Sequence, residues 1–240
     1  MHKIVEVLPD TSALIQRSLE VVVAKIQAAI AERGQCSIAL SGGSTPKPLY
    51  EALATQDLPW DKLQVFWGDE RYVPADHPDS NQGMARKAWL DRVQIPATNI
   101  HPMVAEAADP AIAAQDYESH IRDVLQASDN TFPALDVILL GLGDDGHTAS
   151  LFPHTEALQV QDRLITVGNK DGQPRLTFTA PFINAARCVL FVVAGANKQA
   201  ALQEIFAPAA DASTYPARLI QPQGELWWLF DAAAGQAINR

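Results

Sequence analysis

Val137-Ile138-Leu139-Leu140 is an uninterrupted apolar run, long enough for a buried strand, and Gly141 and Gly143 break it at once. Two carboxylates follow, Asp144 and Asp145, then Gly146 and His147. Thr148-Ala149-Ser150-Leu151 has the look of a short helical turn stopped near Pro153. In open α/β sheets, ligands sit outside the carboxyl ends of the strands. This loop puts an imidazole and carboxylates at such an end, on a glycine-rich backbone that lets another molecule come close. We read it as a reaction centre, for which the rest of the chain must supply a sheet and a grip on the substrate.

The remaining pattern supplies the sheet. A strand is expected over 4–8, then a helix opened by Pro9-Asp10-Thr11-Ser12 and ending near Gly34. Its apolar face is Leu14, Leu19, Val22, Val23, Ile26 and Ile30. Strands are expected over 37–40, 63–67, 189–193 and 226–230, with a pair at 164–167 and 175–178 joined across 168–172. Helices are expected after Pro46, after Asn81 as cap, over 110–127 with Ile112, Tyr117, Ile121 and Leu125 inward, after Gly195, and over 231–238. This alternation predicts an α/β fold with a mostly parallel sheet between helices. One domain over 1–240 is the simplest organisation at this length.

Two further strand ends carry polar groups. Ser41-Gly42-Gly43-Ser44-Thr45-Pro46 joins a strand to a helix with proline just inside it, which suits an anion. It lacks the Gly-Lys-Ser/Thr of a P-loop and the third glycine of a dinucleotide fingerprint, so a tight turn is the plain alternative. Gly68-Asp69-Glu70-Arg71 ends the next strand, where Arg71 can hold an oxyanion or simply pair with Glu70 in a solvated loop.

Of six histidines, His2, His77, His101, His120 and His154 stand in terminal, loop or helix-surface contexts that suggest no chemistry. His147 differs, because Asp145 or Asp144 can orient its ring for work as a base. No second histidine or cysteine stands at ligand spacing, so no metal site is expected. No Gly-X-Ser-X-Gly is present either, which leaves Ser44 and Ser150 weak nucleophiles and favours direct attack by water on an activated carbonyl. Cys36 and Cys188 lie in apolar runs and read as buried thiols. A net charge of −10 argues against a nucleic-acid surface. The N-terminal stretch 1–7 lacks the apolar run of a signal peptide and no apolar stretch has the length of a membrane span, so a soluble cytoplasmic protein is expected.

Taken together, the Ser41–Pro46 and Gly68–Arg71 stretches, Ser80-Asn81, Gly141 through Pro153, Pro174-Arg175-Leu176-Thr177 and Gly195-Ala196-Asn197-Lys198 resemble the 6-phosphogluconolactonases, in order and over nearly the whole chain. The block around His147 is the most specific part. The resemblance implies a three-layer Rossmann-like fold shared with glucosamine-6-phosphate deaminases. It also implies cofactor-free, metal-free hydrolysis of 6-phospho-D-glucono-1,5-lactone to 6-phospho-D-gluconate in the oxidative pentose phosphate pathway. Carried over, His147 is the general base and Asp145 its partner. Gly43, Ser44, Thr45 and Arg71 lie in the substrate site, and Arg175 and Lys198 are further phosphate or sugar contacts. The oxyanion would be met by backbone N–H groups of 143–147 or by Arg71. The implied partner is a small sugar-phosphate lactone, with no nucleic acid, membrane or obligate protein partner. Two alternatives share the fold. Deaminases carry a glutamate shortly after the histidine, where this chain has Ser150-Leu151-Phe152-Pro153. A sugar-phosphate-sensing regulator would add a helix-turn-helix and a basic face, which this chain lacks.

Overall fold

The computed structural model describes residues 2–105, 107–128, 131–236 and 238. Six strands form one parallel sheet: β1 (His2–Leu8), β2 (Cys36–Leu40), β3 (Leu63–Trp67), β5 (Val137–Leu140), β8 (Cys188–Val193) and β9 (Glu225–Asp231). A second sheet is antiparallel and holds β4 (Asp69–Arg71), β6 (Ile165–Lys170) and β7 (Gln173–Phe178). The helices are α1 (Thr11–Arg33), α2 (Pro46–Leu53), α3 (Asn81–Ala88), α4 (Pro110–Leu125), α5 (Ala180–Asn184), α6 (Gln199–Phe206) and α7 (Ala232–Gly235).

Every residue of β2, β5 and β8 is buried. Alternate side chains point to opposite faces, so total burial means that both faces are covered. The result is the three-layer Rossmann-like α/β fold. Burying each Val, Leu or Ile is worth about 1.5–3 kcal/mol, which keeps these runs at the centre. The long α1 is defined at both ends. Asp10 accepts from the Ala13 N–H at 2.8 Å, and Gly34, at φ 78°, returns its N–H to the Ile30 carbonyl.

The strand order β1-β9-β8-β5-β2-β3 locates the site. From β2 the chain moves outward to β3, then returns to the other side of β2 for β5 and goes on to β8 and β9. The order therefore reverses between β2 and β5, and the loops 41–46 and 141–148 leave the sheet there. The second sheet hangs from the end of β3. Gly68 N–H donates to the Leu40 carbonyl and the Gly68 carbonyl accepts from Phe178 N–H, both at 2.8 Å.

Several local expectations are corrected. Strands β6 and β7 run on to Lys170 and Gln173, leaving a two-residue turn, Asp171-Gly172, with φ of 54° and 84°. Two left-handed residues match the twist of a hairpin, and Asp-Gly is the sequence that supplies them. Residues 148–151 are not helical. Ala149 is at φ 48°, Thr148 bridges to Leu151, and Ser150 is drawn sideways by hydrogen bonds to Thr177 and Asp69. Ser80 rather than Asn81 caps α3, accepting from Gly83 N–H at 3.0 Å. Ile112 is 52% exposed, because the inward face of α4 is Ala113, Ala114, Tyr117 and Ile121. The last helix is only α7, capped by Asp231, and residue 237 of the expected span lies outside the described residues. Cys36 and Cys188 are buried free thiols, and burial pushes the Cys188 thiol up to about 12. Among the described residues no helix is long and apolar enough to cross a membrane.

Candidate active site at the sheet switch point

Gly43, Ser44, Thr45, Arg71, His147, Arg175 and Lys198 line one cavity of about 280 Å³ beside the switch point. Asp145 stands behind His147. Its Oδ1 lies 2.5 Å from His147 Nδ1 and also accepts the His147 backbone N–H at 3.1 Å. A carboxylate only accepts, so Nδ1 carries the proton and Nε2 is the basic nitrogen of the neutral ring. Partial burial works against the charge on Asp145, but the bonds from the His147 ring and backbone outweigh it and hold the carboxyl at about 2. Asp145 is thus ionised throughout the neutral pH range. Phe152 buttresses the ring, with centroids 4.5 Å apart.

The loop closes on itself to present this pair. Gly143 N–H donates to the His147 carbonyl at 2.8 Å, Gly146 N–H to the Gly143 carbonyl at 3.1 Å, and Thr148 Oγ1 to the Gly141 carbonyl at 2.8 Å. Gly143 is required by close approach, since a Cβ there would stand 2.0 Å from His147 Nδ1. The N–H groups of Gly143, Gly146 and His147 are therefore already engaged within the loop.

Asp144, the other carboxylate weighed as a partner for His147, faces elsewhere. It pairs with Lys198 Nζ and accepts from Asn197 Nδ2 at 2.8 Å, and these two bonds hold its carboxyl below the ordinary range. Lys198 is thereby fixed beside the His147 loop.

The second sheet brings the remaining cations. Arg71 on β4 stands directly opposite Arg175 on β7. Like charges in this register repel unless an anion lies between them. Among the described residues neither guanidinium has a carboxylate within ion-pair distance, and burial together with Arg71 pulls the Arg175 pKa below its usual value. The alternative, a surface pair between Glu70 and Arg71, does not form. Glu70 is 2% exposed and accepts the backbone N–H groups of Arg71, Asn81 and Gln82 and the Ser80 hydroxyl at 2.7–3.1 Å. A helix start that needs its N–H groups satisfied has claimed this carboxylate, although burial still leaves it raised. Arg71 donates instead to the Asp79 carbonyl at 2.5 Å, and among the described residues its buried Nε has no partner.

On the switch-point loop, Gly43 is at φ 101°, a conformation that favours glycine. Thr45 precedes α2, whose Pro46 occupies the first turn, and among the described residues neither the Ser44 nor the Thr45 hydroxyl has a hydrogen-bond partner. The turn therefore offers free donors to an anion.

Three wall residues were given no place in the substrate site by sequence reasoning. Lys170 reaches the cavity from the β6–β7 hairpin. The Asp171-Gly172 dipeptide was the available signal, since it fixes the hairpin register. Lys170 and Arg175 approach the Phe152 ring to 5.9 and 5.6 Å, and that ring also touches His147. Asp69 and Asn81, 6% and 1% exposed, complete the wall. Both stand in stretches that carry the family resemblance, but no local spacing places their side chains in the cavity. Among the described residues no three His, Cys, Asp or Glu side chains converge as a metal-ligand set.

A parallel sheet covered on both faces, with an oriented imidazole and a ring of cations at its switch point, defines an α/β protein built to act on a small anionic molecule. The chain belongs to the family of glucosamine-6-phosphate isomerases/6-phosphogluconolactonase, whose model matches residues 9–228. It is 66% identical over 239 residues to a 6-phosphogluconolactonase of Nostoc sp., covering 100% of both chains. It is 68% identical over 235 residues to that of Synechocystis sp., covering 98% of both. The crystal structure of 6-phosphogluconolactonase from Leishmania guyanensis is similar with a TM-score of 0.89 at 28% identity, over 100% of both chains.

Proposed function

We propose that this chain hydrolyses 6-phospho-D-glucono-1,5-lactone to 6-phospho-D-gluconate, as in the oxidative pentose phosphate pathway. The observation that carries the reading is the His147–Asp145 pair, joined at 2.5 Å in a cavity that also holds the facing Arg71 and Arg175, which among the described residues have no carboxylate partner. A base and an unsatisfied anion grip in one small cavity suit a phosphorylated substrate opened by water. Full-length likeness to the cyanobacterial relatives supports the choice of lactone.

His147 Nε2 takes a proton from water as the water oxygen attacks C1. The carbonyl electrons move to oxygen, and Lys198, held beside the loop by Asp144, offsets that charge. Collapse breaks the bond from C1 to the ring oxygen, and the imidazolium returns its proton there. Asp145 keeps the ring in the required tautomer and stabilises the imidazolium. Arg71, Arg175 and the free donors of the 43–45 turn hold the phosphate. The reaction needs no metal or other cofactor. The chain works as one domain over 1–240, since loops from residue 41 to residue 198 meet in the cavity. Sugar-phosphate chemistry and two reduced, buried thiols support a cytoplasmic setting.

The test uses lactone generated fresh from glucose 6-phosphate, its opening followed with and without protein and with EDTA. Acceleration should survive EDTA and fall by about 10²–10⁴ in His147→Ala, towards the uncatalysed rate. No acceleration by the parent protein refutes the activity, and loss with EDTA refutes the metal-free route.

A further inference from the structure

The cation grip and the catalytic loop belong to different sheets, yet one buried hydrogen bond joins them. Ser150 Oγ donates to Asp69 Oδ2 at 2.7 Å. Ser150 is wholly buried and lies three residues beyond His147 in the same loop. Asp69 lies on β4 two residues before Arg71, so both side chains fall on one face of that strand. The attachment is made rigid from both sides. Ser150 N–H donates to Thr177 Oγ1 at 3.1 Å on β7, the strand that carries Arg175. Gly168 on β6 lies so close that a Cβ there would stand 2.3 Å from the Ser150 carbonyl. Asp69 reaches a third loop as well. Its backbone carbonyl accepts Asn81 Nδ2 at 2.9 Å, and Asn81 packs on Gly42 of the switch-point turn, where a Cβ would meet it at 1.7 Å.

Every element assigned to the phosphate thus bears on Asp69, and Asp69 holds the loop that carries the base. We propose that Ser150 is a positioning residue: through Asp69 it ties the His147 loop to the phosphate-gripping strands, so that the substrate phosphate raises kcat and does more than lower KM. Remote binding energy is then used to place the reacting groups, a use in which truncated substrates lose kcat. Ser150 itself takes no part in proton transfer, since its hydroxyl proton is committed to Asp69.

The inference rests on the lactonase reading, and its test is separable from it. Steady-state kcat and KM are measured for the phosphorylated lactone and for unphosphorylated glucono-1,5-lactone, with the parent protein and Ser150→Ala. The ratio of the two kcat values does not depend on how much of the variant folds. It should fall about tenfold in Ser150→Ala, the scale of one hydrogen bond to a charged group, with KM for the phosphorylated lactone within about threefold. An unchanged ratio, or a rise in KM alone, overturns the proposal. If the parent does not accelerate the unphosphorylated lactone, the phosphorylated one alone decides. A fall in kcat per folded molecule, the folded fraction being read by circular dichroism, at constant KM then supports the link, and a rise in KM at constant kcat overturns it. A parent protein that opens neither lactone contradicts the lactonase reading instead.

Discussion

Replacing Gly143 by alanine aims a methyl group at His147, the proposed base, and leaves Arg71 and Arg175 alone. The new Cβ would stand 2.0 Å from His147 Nδ1, 2.2 Å from Cε1 and 2.6 Å from Asp145 Oδ1. Unstrained contacts lie near 3.5 Å, so the ring must retreat by about 1.5 Å. That breaks the 2.5 Å bond to Asp145 and unlocks the tautomer. Misplacing a catalytic group by ~1 Å costs on the order of 10² in rate, and full loss of a general base about 10²–10⁴. We expect kcat to fall about 10²-fold, with KM within about threefold, in a pH-indicator assay of lactone opening. Stability should change by less than about 1 kcal/mol, because His147 and Asp145 are partly exposed and can swing away. The Asp145 carboxyl, held at about 2 by the ring, should rise towards its ordinary value of 3.8, as read by carbon-detected NMR titration. A Gly143→Ala protein with kcat within about threefold of the parent, or one that loses KM and keeps kcat, would refute the orientation argument.

Two other perturbations separate binding from stability. Arg175→Ala should raise KM for the phosphorylated lactone by about 10–100-fold, the worth of a charged hydrogen bond, and leave KM for glucono-1,5-lactone nearly unchanged in the same assay; equal changes for both would remove Arg175 from the phosphate site. His101 is 5% exposed, and burial first, then its neighbour His120, lower its pKa from 6.5 to about 4. The unfolded chain binds that proton more readily, so stability should fall by about 3 kcal/mol as pH drops from 6.5 towards 4, and level off below. Urea melts across this range should show the slope in the parent and a flatter one in His101→Gln; identical slopes would exclude His101 as the cause.

What local sequence encodes was readable, and what distance encodes was not. The central strands announce themselves because burial on both faces leaves an unbroken apolar run. His147 and Asp145 are two residues apart in a glycine-broken loop, so their pairing is a local matter. Ser150 and Asp69 are 81 residues apart, and no periodicity in either segment refers to the other. Glu70 shows the same limit in reverse. Beside Arg71 in sequence it invites an ion pair, but the N–H groups at the start of α3 compete for the carboxylate and win. Ile112 shows that apolar character does not by itself set a helix face, since it stands five positions before Tyr117, which puts it on the wet side.

The sheet order also governs when the molecule can be finished. β1 is hydrogen-bonded along its length to β9, from His2 beside Glu225 to Leu8 beside Asp231. During synthesis the first strand therefore has to wait for the last. At about 5–20 residues per second that wait is roughly 10–45 s. Until then β8, the strongly apolar neighbour of β9, presents an unpaired edge. The nascent chain is thus most exposed to wrong pairing when nearly all of it has been made, and a ribosome that stalls short of β9 would release a sheet with an open apolar edge instead of a slightly shortened protein.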